Sequence, residues 1–134
     1  LIQCTIVREK GGFARFFPKY TMHLSNGYRF LLAAKKRAGN KTSNYAVSMA
    51  PKEFNTKSPH FLGKLRSNFL GTEFHIYDNG LNPKKANSLE KIRDQLGVVL
   101  YETKLRGVKG FRKMRVLLPE VQADGSQKVF KPLS

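Results

Sequence analysis

Two apolar runs with a period of two face each other across Asn26-Gly27, and no other feature narrows the fold of this chain as far. Tyr20, Met22 and Leu24 alternate with Thr21 and His23, and beyond the turn Tyr28, Phe30, Leu32 and Ala34 occupy alternate positions. A period of two sets one group of side chains on one face of a strand. Asn and Gly both accept the positive φ of a tight reversal, so the pair predicts a hairpin.

The same grammar recurs along the chain. Residues 1–8 read as a strand closed by Glu9-Lys10-Gly11-Gly12, and Tyr45, Val47 and Met49 alternate until Pro51 interrupts them. Residues 51–59 read as a surface excursion. Residues 60–66 and 72–77 read as a strand pair joined through 68–71, and Asp78-Asn79-Gly80 is a second strong turn. Residues 98–103 and 113–118 complete the strands. One departure from period two predicts a helix near 88–96: Leu89, Ile92 and Leu96 fall at i, i+3 and i+7, with Asn87 and Glu90 as a capping box and Gly97 as the C-cap. So short a helix needs the sheet to persist. The expected fold is mostly β, an antiparallel barrel or sandwich with one short helix, and the 134 residues suit a single domain.

Little in the sequence points to catalysis. His23, His60 and His75 are scattered, with no metal-ligand spacing, and read as structural or surface histidines. Glu73 and Asp78, five apart, would face opposite ways on one strand and could not share acid/base work, so Asp78 is expected to stabilise its turn. The single cysteine, Cys4, forms no internal disulfide; it suits a reducing compartment and, beside Ile2 and Ile6, reads as a small packed hydrophobe. No cofactor motif, no signal peptide and no apolar run of membrane-spanning length is visible.

The charge is the informative part. The chain carries +16, and from Lys10 to Lys52 nine basic residues stand without one acid. Such a surface attracts polyanions, nucleic acid and anionic lipid alike. The densest cluster is Lys35, Lys36, Arg37 and Lys41, between the apolar runs 28–34 and 45–50. In extended backbone Lys35 and Arg37 project to one side and Lys36 to the other, and Lys64 with Arg66 repeats the spacing on another strand. Arg offers a planar fork to phosphate oxygens and Lys a mobile point charge, so converging pairs suit a multiply phosphorylated ligand. The alternative is a solvated basic face that serves solubility alone.

Several longer motifs stand in one order: Lys41-Thr42-Ser43-Asn44-Tyr45, Leu62-Gly63-Lys64-Leu65-Arg66-Ser67-Asn68, Gly71-Thr72, Tyr77-Asp78-Asn79-Gly80 with Asn82-Pro83, Tyr101-Glu102-Thr103, and Gly107-Val108-Lys109-Gly110 with Arg112-Lys113-Met114. This series resembles the tubby C-terminal domain over residues 1–119. The resemblance implies a closed twelve-stranded antiparallel barrel around a central apolar helix, with this chain as its first half. It implies a non-enzymatic, membrane-tethered adaptor that binds phosphatidylinositol 4,5-bisphosphate through Lys35, Arg37 and Arg66; beside them Lys36, Lys41 and Lys64 are expected to form a supporting basic patch that adds general attraction. The implied setting is cytoplasmic, peripheral at the plasma membrane, with links to nucleus and cilium, transcriptional control, and the carriage of cargo or trafficking proteins. DNA held by the same basic face is the alternative. Phe111 stands where the family usually has Pro. A half barrel also leaves strand edges that the remainder of the barrel or a partner would cover.

Overall fold

The computed structural model describes residues 1–10, 12, 16–102 and 113–132. They form one eight-stranded sheet: β1 (Cys4–Arg8), β2 (Lys19–Leu24), β3 (Phe30–Lys36), β4 (Asn44–Ser48), β5 (Phe61–Ser67), β6 (Glu73–Asp78), β7 (Gln95–Tyr101) and β8 (Met114–Leu117). Spatial order equals chain order and every neighbouring pair is antiparallel. The meander curls into a half-barrel whose free edges are β1 and β8. The loop motif 107–110, with Phe111 and Arg112, lies outside the described residues.

The alternation of the sequence survives as two distinct faces. One carries Tyr20, Met22, Leu32, Ala34, Tyr45, Val47, Leu65, Ile76, Phe74 and Val99, which the register lines up strand against strand. The other carries Lys19, Lys35, Ala46, Lys64 and Tyr77 in one row and Asn44, Arg66 and His75 in the next. The most deeply buried apolar residues, Ala33, Ala46, Phe61 and Tyr77, all lie on this second face. Ala33 and Phe61 flank Ser48 where the excursion 49–60 leaves and rejoins the sheet, and the Ser48 hydroxyl donates to the His60 carbonyl (3.2 Å) and accepts from the Ala50 amide (3.0 Å).

The first hairpin turns differently from its sequence signature. Gly27 (φ 72°) and Tyr28 (φ 47°) take the left-handed conformations, and Leu24 N–H reaches across to Arg29 O (2.8 Å). Tyr28 tolerates that backbone because its ring stacks on His23, centroids 4.3 Å apart and nearly parallel. At the second turn Asp78 acts as expected: its Oδ1 accepts from the amides of Gly80 (2.9 Å) and Asp94 (2.8 Å).

The helix expected near 88–96 does not form. A single 3-10 turn, Leu89–Lys91, stands there, preceded by another at Pro83–Lys85, and the backbone is extended again at Ile92. Tertiary bonds outcompete the local pattern. Leu81 and Ile92 form a parallel bridge, with Leu81 N–H to Lys91 O at 2.8 Å and Arg93 N–H to Leu81 O at 2.9 Å. Arg93 is then drawn beneath the sheet, only 3% exposed, with its guanidinium carbon 4.1 Å from the Tyr77 ring centroid. Leu89 remains 74% exposed, so no apolar helical stripe exists, and Gly97 is a buried residue of β7 rather than a cap. A second correction concerns Cys4, which is exposed, because β1 is an edge strand whose residues all face solvent.

Candidate anion-binding site

Strand β4 organises the candidate site. Lys35 pairs with Ala46 on one side and Lys64 pairs with Ala46 on the other. One step along, the amide of Arg37 donates to the Asn44 carbonyl (2.8 Å), and Asn44 pairs with Arg66 on its other side. Partners in antiparallel register share a face, so Lys35, Arg37, Lys64 and Arg66 occupy the corners of a near rectangle. Strand spacing makes it about 10 Å across, and the rise between alternate residues about 7 Å along. Two strands that never touch are thus joined by the one between them. Ala46 is the enabling residue: it is buried and has only a methyl group, leaving the space between Lys35 and Lys64 free for longer side chains.

The electrostatics of the cluster are one-sided. Among the described residues none of these four cations, nor Lys36 or Lys41, is paired with a carboxylate; Lys19, by contrast, is held by Glu9. Lys64 feels the crowding. Its ammonium pKa is pushed below the ordinary lysine value, first by burial, then by the positive charges of Arg93, Arg37 and Arg66, with Asp78 opposing. Asn44 Oδ1, buried in the middle of the rectangle's second row, has no donor.

A cleft of about 790 Å³ opens beside this face, with Lys19, Lys35, Arg37, Ala46, Pro51 and Phe54 among its walls. It lies on the β3 side and does not reach Lys64 or Arg66. Lys36 also lines it, although its register partner Tyr45 belongs to the apolar face. Lys41 is exposed in the connection between β3 and β4. Spacing alone did not reveal the wall formed by Pro51 and Phe54, since residues 51–59 read only as an excursion. The prolines at 51 and 59 were the available hint of a fixed path.

A depressed lysine pKa has a definite sign. In the folded chain the neutral amine is favoured relative to the unfolded chain, so charging Lys64 costs stability, and stability rises with pH from the lowered folded pKa up to the unfolded value. Lys64→Gln is therefore expected to raise the melting temperature of the free protein while weakening binding to anionic vesicles about 5-fold, the worth of one basic residue near such a surface. Calorimetric melting and vesicle co-sedimentation on the same variant check both halves. A variant that loses stability would show Lys64 to be structural.

Comparison with known proteins matches this chain to the Tub family over residues 1–134. It is 47% identical over 126 residues to Tubby-related protein 2 of Mus musculus, covering 89% of this chain and 22% of that protein. It is 44% identical to Tubby-related protein 3 of Mus musculus, covering 98% of this chain and 30% of that protein. It is 41% identical to Tubby protein homolog 1 of Caenorhabditis briggsae, covering 96% of this chain and 32% of that protein. The chain thus spans less than a third of the length of these relatives.

Proposed function

This chain belongs to the Tub family, and from that premise we propose that it binds the head group of phosphatidylinositol 4,5-bisphosphate at the inner leaflet, through Lys35, Arg37 and Arg66. The observation that carries this reading is the rectangle of cations across β4, none of them paired with a carboxylate among the described residues. Cations held together without counterions repel each other, and a multiply charged anion relieves that repulsion at several corners at once. Arg37 and Arg66 flank Asn44 and offer forks to phosphate oxygens, and Lys35 adds a point charge.

Lys36, Lys41 and Lys64 supply general attraction. Each basic residue close to an anionic leaflet contributes about 1 kcal/mol, fading over a Debye length of about 8 Å. No helix among the described residues is long and apolar enough to cross a membrane, which suits attachment through head groups. The function follows as tethering: a module that docks at the plasma membrane from the cytoplasmic side and releases when the lipid is consumed, as an adaptor for cargo, with onward roles in cilium or nucleus.

Duplex nucleic acid is the competing polyanion, and one experiment separates the two. Soluble inositol 1,4,5-trisphosphate is expected to displace the protein from vesicles carrying the bisphosphate lipid at micromolar concentration. Binding governed by duplex backbone would instead resist that competitor and collapse steeply with salt. Displacement by salt alone, with no effect of the inositol phosphate, would overturn the head-group assignment.

A further inference from the structure

The turn between β5 and β6 carries a feature that head-group binding does not use. Phe69 and Leu70 stand at its tip, 82% and 76% exposed. Isolated exposed apolar residues are ordinary. Two large neighbours on a stiff tip beside a cation cluster are not, because such surfaces mark contacts with another phase or partner. Met114, Val116 and Leu117 are also exposed, but they lie on β8, where exposure follows from an unpaired edge.

The turn is built to hold this pair outward. Asn68 Oδ1 accepts from the amides of Thr72 (2.9 Å) and Glu73 (3.2 Å), and its Nδ2 donates to the Thr72 hydroxyl (2.9 Å). The Asn68 amide donates to the Glu73 carbonyl (3.0 Å), and Gly71 takes a φ of 68° that closes the reversal. The backbone is therefore fixed with no help from the two apolar side chains.

The same turn is tied to the basic connection. Ser67 N–H donates to Ser43 O (2.9 Å), and Ser43 N–H donates to the Ser67 hydroxyl (3.0 Å). Since β4 and β5 are antiparallel, residues 68–71 and the connection 37–43 share one end of the sheet, with Arg66 just behind the tip and Lys41 exposed beside it. Two carboxylates also stand at this end of the sheet: Glu73, at the start of β6 and 3.7 Å from His75, and Glu102, which follows Tyr101, whose amide donates to the Thr72 carbonyl (2.7 Å). An apolar tip flanked by cations complements one kind of surface: hydrocarbon under anionic head groups.

We infer that residues 68–71 form a bilayer-insertion tip, in which Phe69 and Leu70 enter the interfacial region of an anionic membrane while the cations of β3 and β5 engage its head groups. This inference rests on the head-group reading above and adds a second, apolar contact to it. The head group then supplies specificity, and the tip supplies a grip that soluble inositol phosphates cannot reproduce.

The sequence contains no tryptophan, so Phe69→Trp installs a lone reporter. With vesicles of phosphatidylcholine and phosphatidylserine containing the bisphosphate lipid, its emission is expected to shift to the blue and to be quenched by brominated acyl chains. The Phe69→Ser, Leu70→Ser double variant is expected to bind those vesicles about 20-fold more weakly, as partial burial of two such side chains implies. Its affinity for soluble inositol 1,4,5-trisphosphate should match that of the parent. If the double variant binds vesicles as the parent does and the reporter emission does not move, the insertion tip is refuted while the head-group site stands. If inositol trisphosphate affinity falls in parallel, the turn acts through the shape of the clamp and the inference is likewise refuted. A parent that binds neither vesicles nor inositol trisphosphate would remove the head-group reading, and the tip with it.

Discussion

Replacing Lys35 and Arg37 together by alanine is expected to lower affinity for vesicles containing phosphatidylinositol 4,5-bisphosphate by roughly 100-fold or more. A hydrogen bond from a charged donor contributes about 1.5–3 kcal/mol, and a factor of ten in affinity corresponds to about 1.4 kcal/mol, so two lost partners suffice. The fold should not notice. Lys35 is exposed, and the bond that Arg37 makes to Asn44 uses its backbone amide, which alanine retains. Arg37→Lys should fall between the parent and the double variant, because lysine keeps the charge and loses the fork. Vesicle sedimentation together with circular dichroism measures both sides of the claim. A double variant that sediments like the parent, with an intact spectrum, would place the ligand elsewhere.

Gly63→Ala is expected to be strongly destabilising. A Cβ at Gly63 would overlap the carbonyl oxygen of Tyr77 and stand 3.1 Å from Asp78 Cα, all of it main chain that no rotamer change can move aside. The φ of Gly63 lies outside the left-handed range, so the demand here is close approach rather than backbone freedom. To admit the methyl, β5 must lift from β6. That displaces Tyr77, the ring on which Arg93 rests, and shifts Lys64 next along the strand. Overpacking against main chain costs about 3 kcal/mol, which for a domain of this size lowers the melting temperature by about 10 °C. Leu62→Ala, at an exposed neighbouring position, is the control and should cost little. Thermal melts of the two variants decide the matter: equal melting temperatures would mean that the β5–β6 contact has slack the geometry does not suggest.

These two expectations touch one structural fact from opposite sides. The cations must converge for the ligand, and the strands that carry them must stay in register for the cations to converge. A slip of one residue between β3 and β4 would set Tyr45 in place of Ala46 opposite Lys35 and fill the gap with a ring. Gly63 guards the other flank, because any change in the β5–β6 spacing moves Lys64 and Arg66 together.

How far each feature was legible depends on how far its cause extends along the chain. Alternation in Tyr20, Met22, Leu32 and Ala34 is a property of neighbouring residues, and so is the two-residue spacing of Lys35 with Arg37 and of Lys64 with Arg66; the sequence determined these, together with the turns at Gly27, Gly71 and Asp78. The structure alone decided that Ala46 and Asn44 lie between the two cation pairs, since that depends on hydrogen-bond register between strands remote in sequence. It also decided the fate of residues 88–96. Their helical spacing, a weak local preference, lost to the bridge from Leu81 and to the burial of Arg93 against Tyr77. Exposure belongs to the same class: Cys4 looked like core and is open because β1 has no outer neighbour, and Phe69 with Leu70 stands clear because Asn68 closes the turn beneath them. Periodicity is written in adjacent residues, whereas burial and convergence depend on which distant backbone comes to lie alongside.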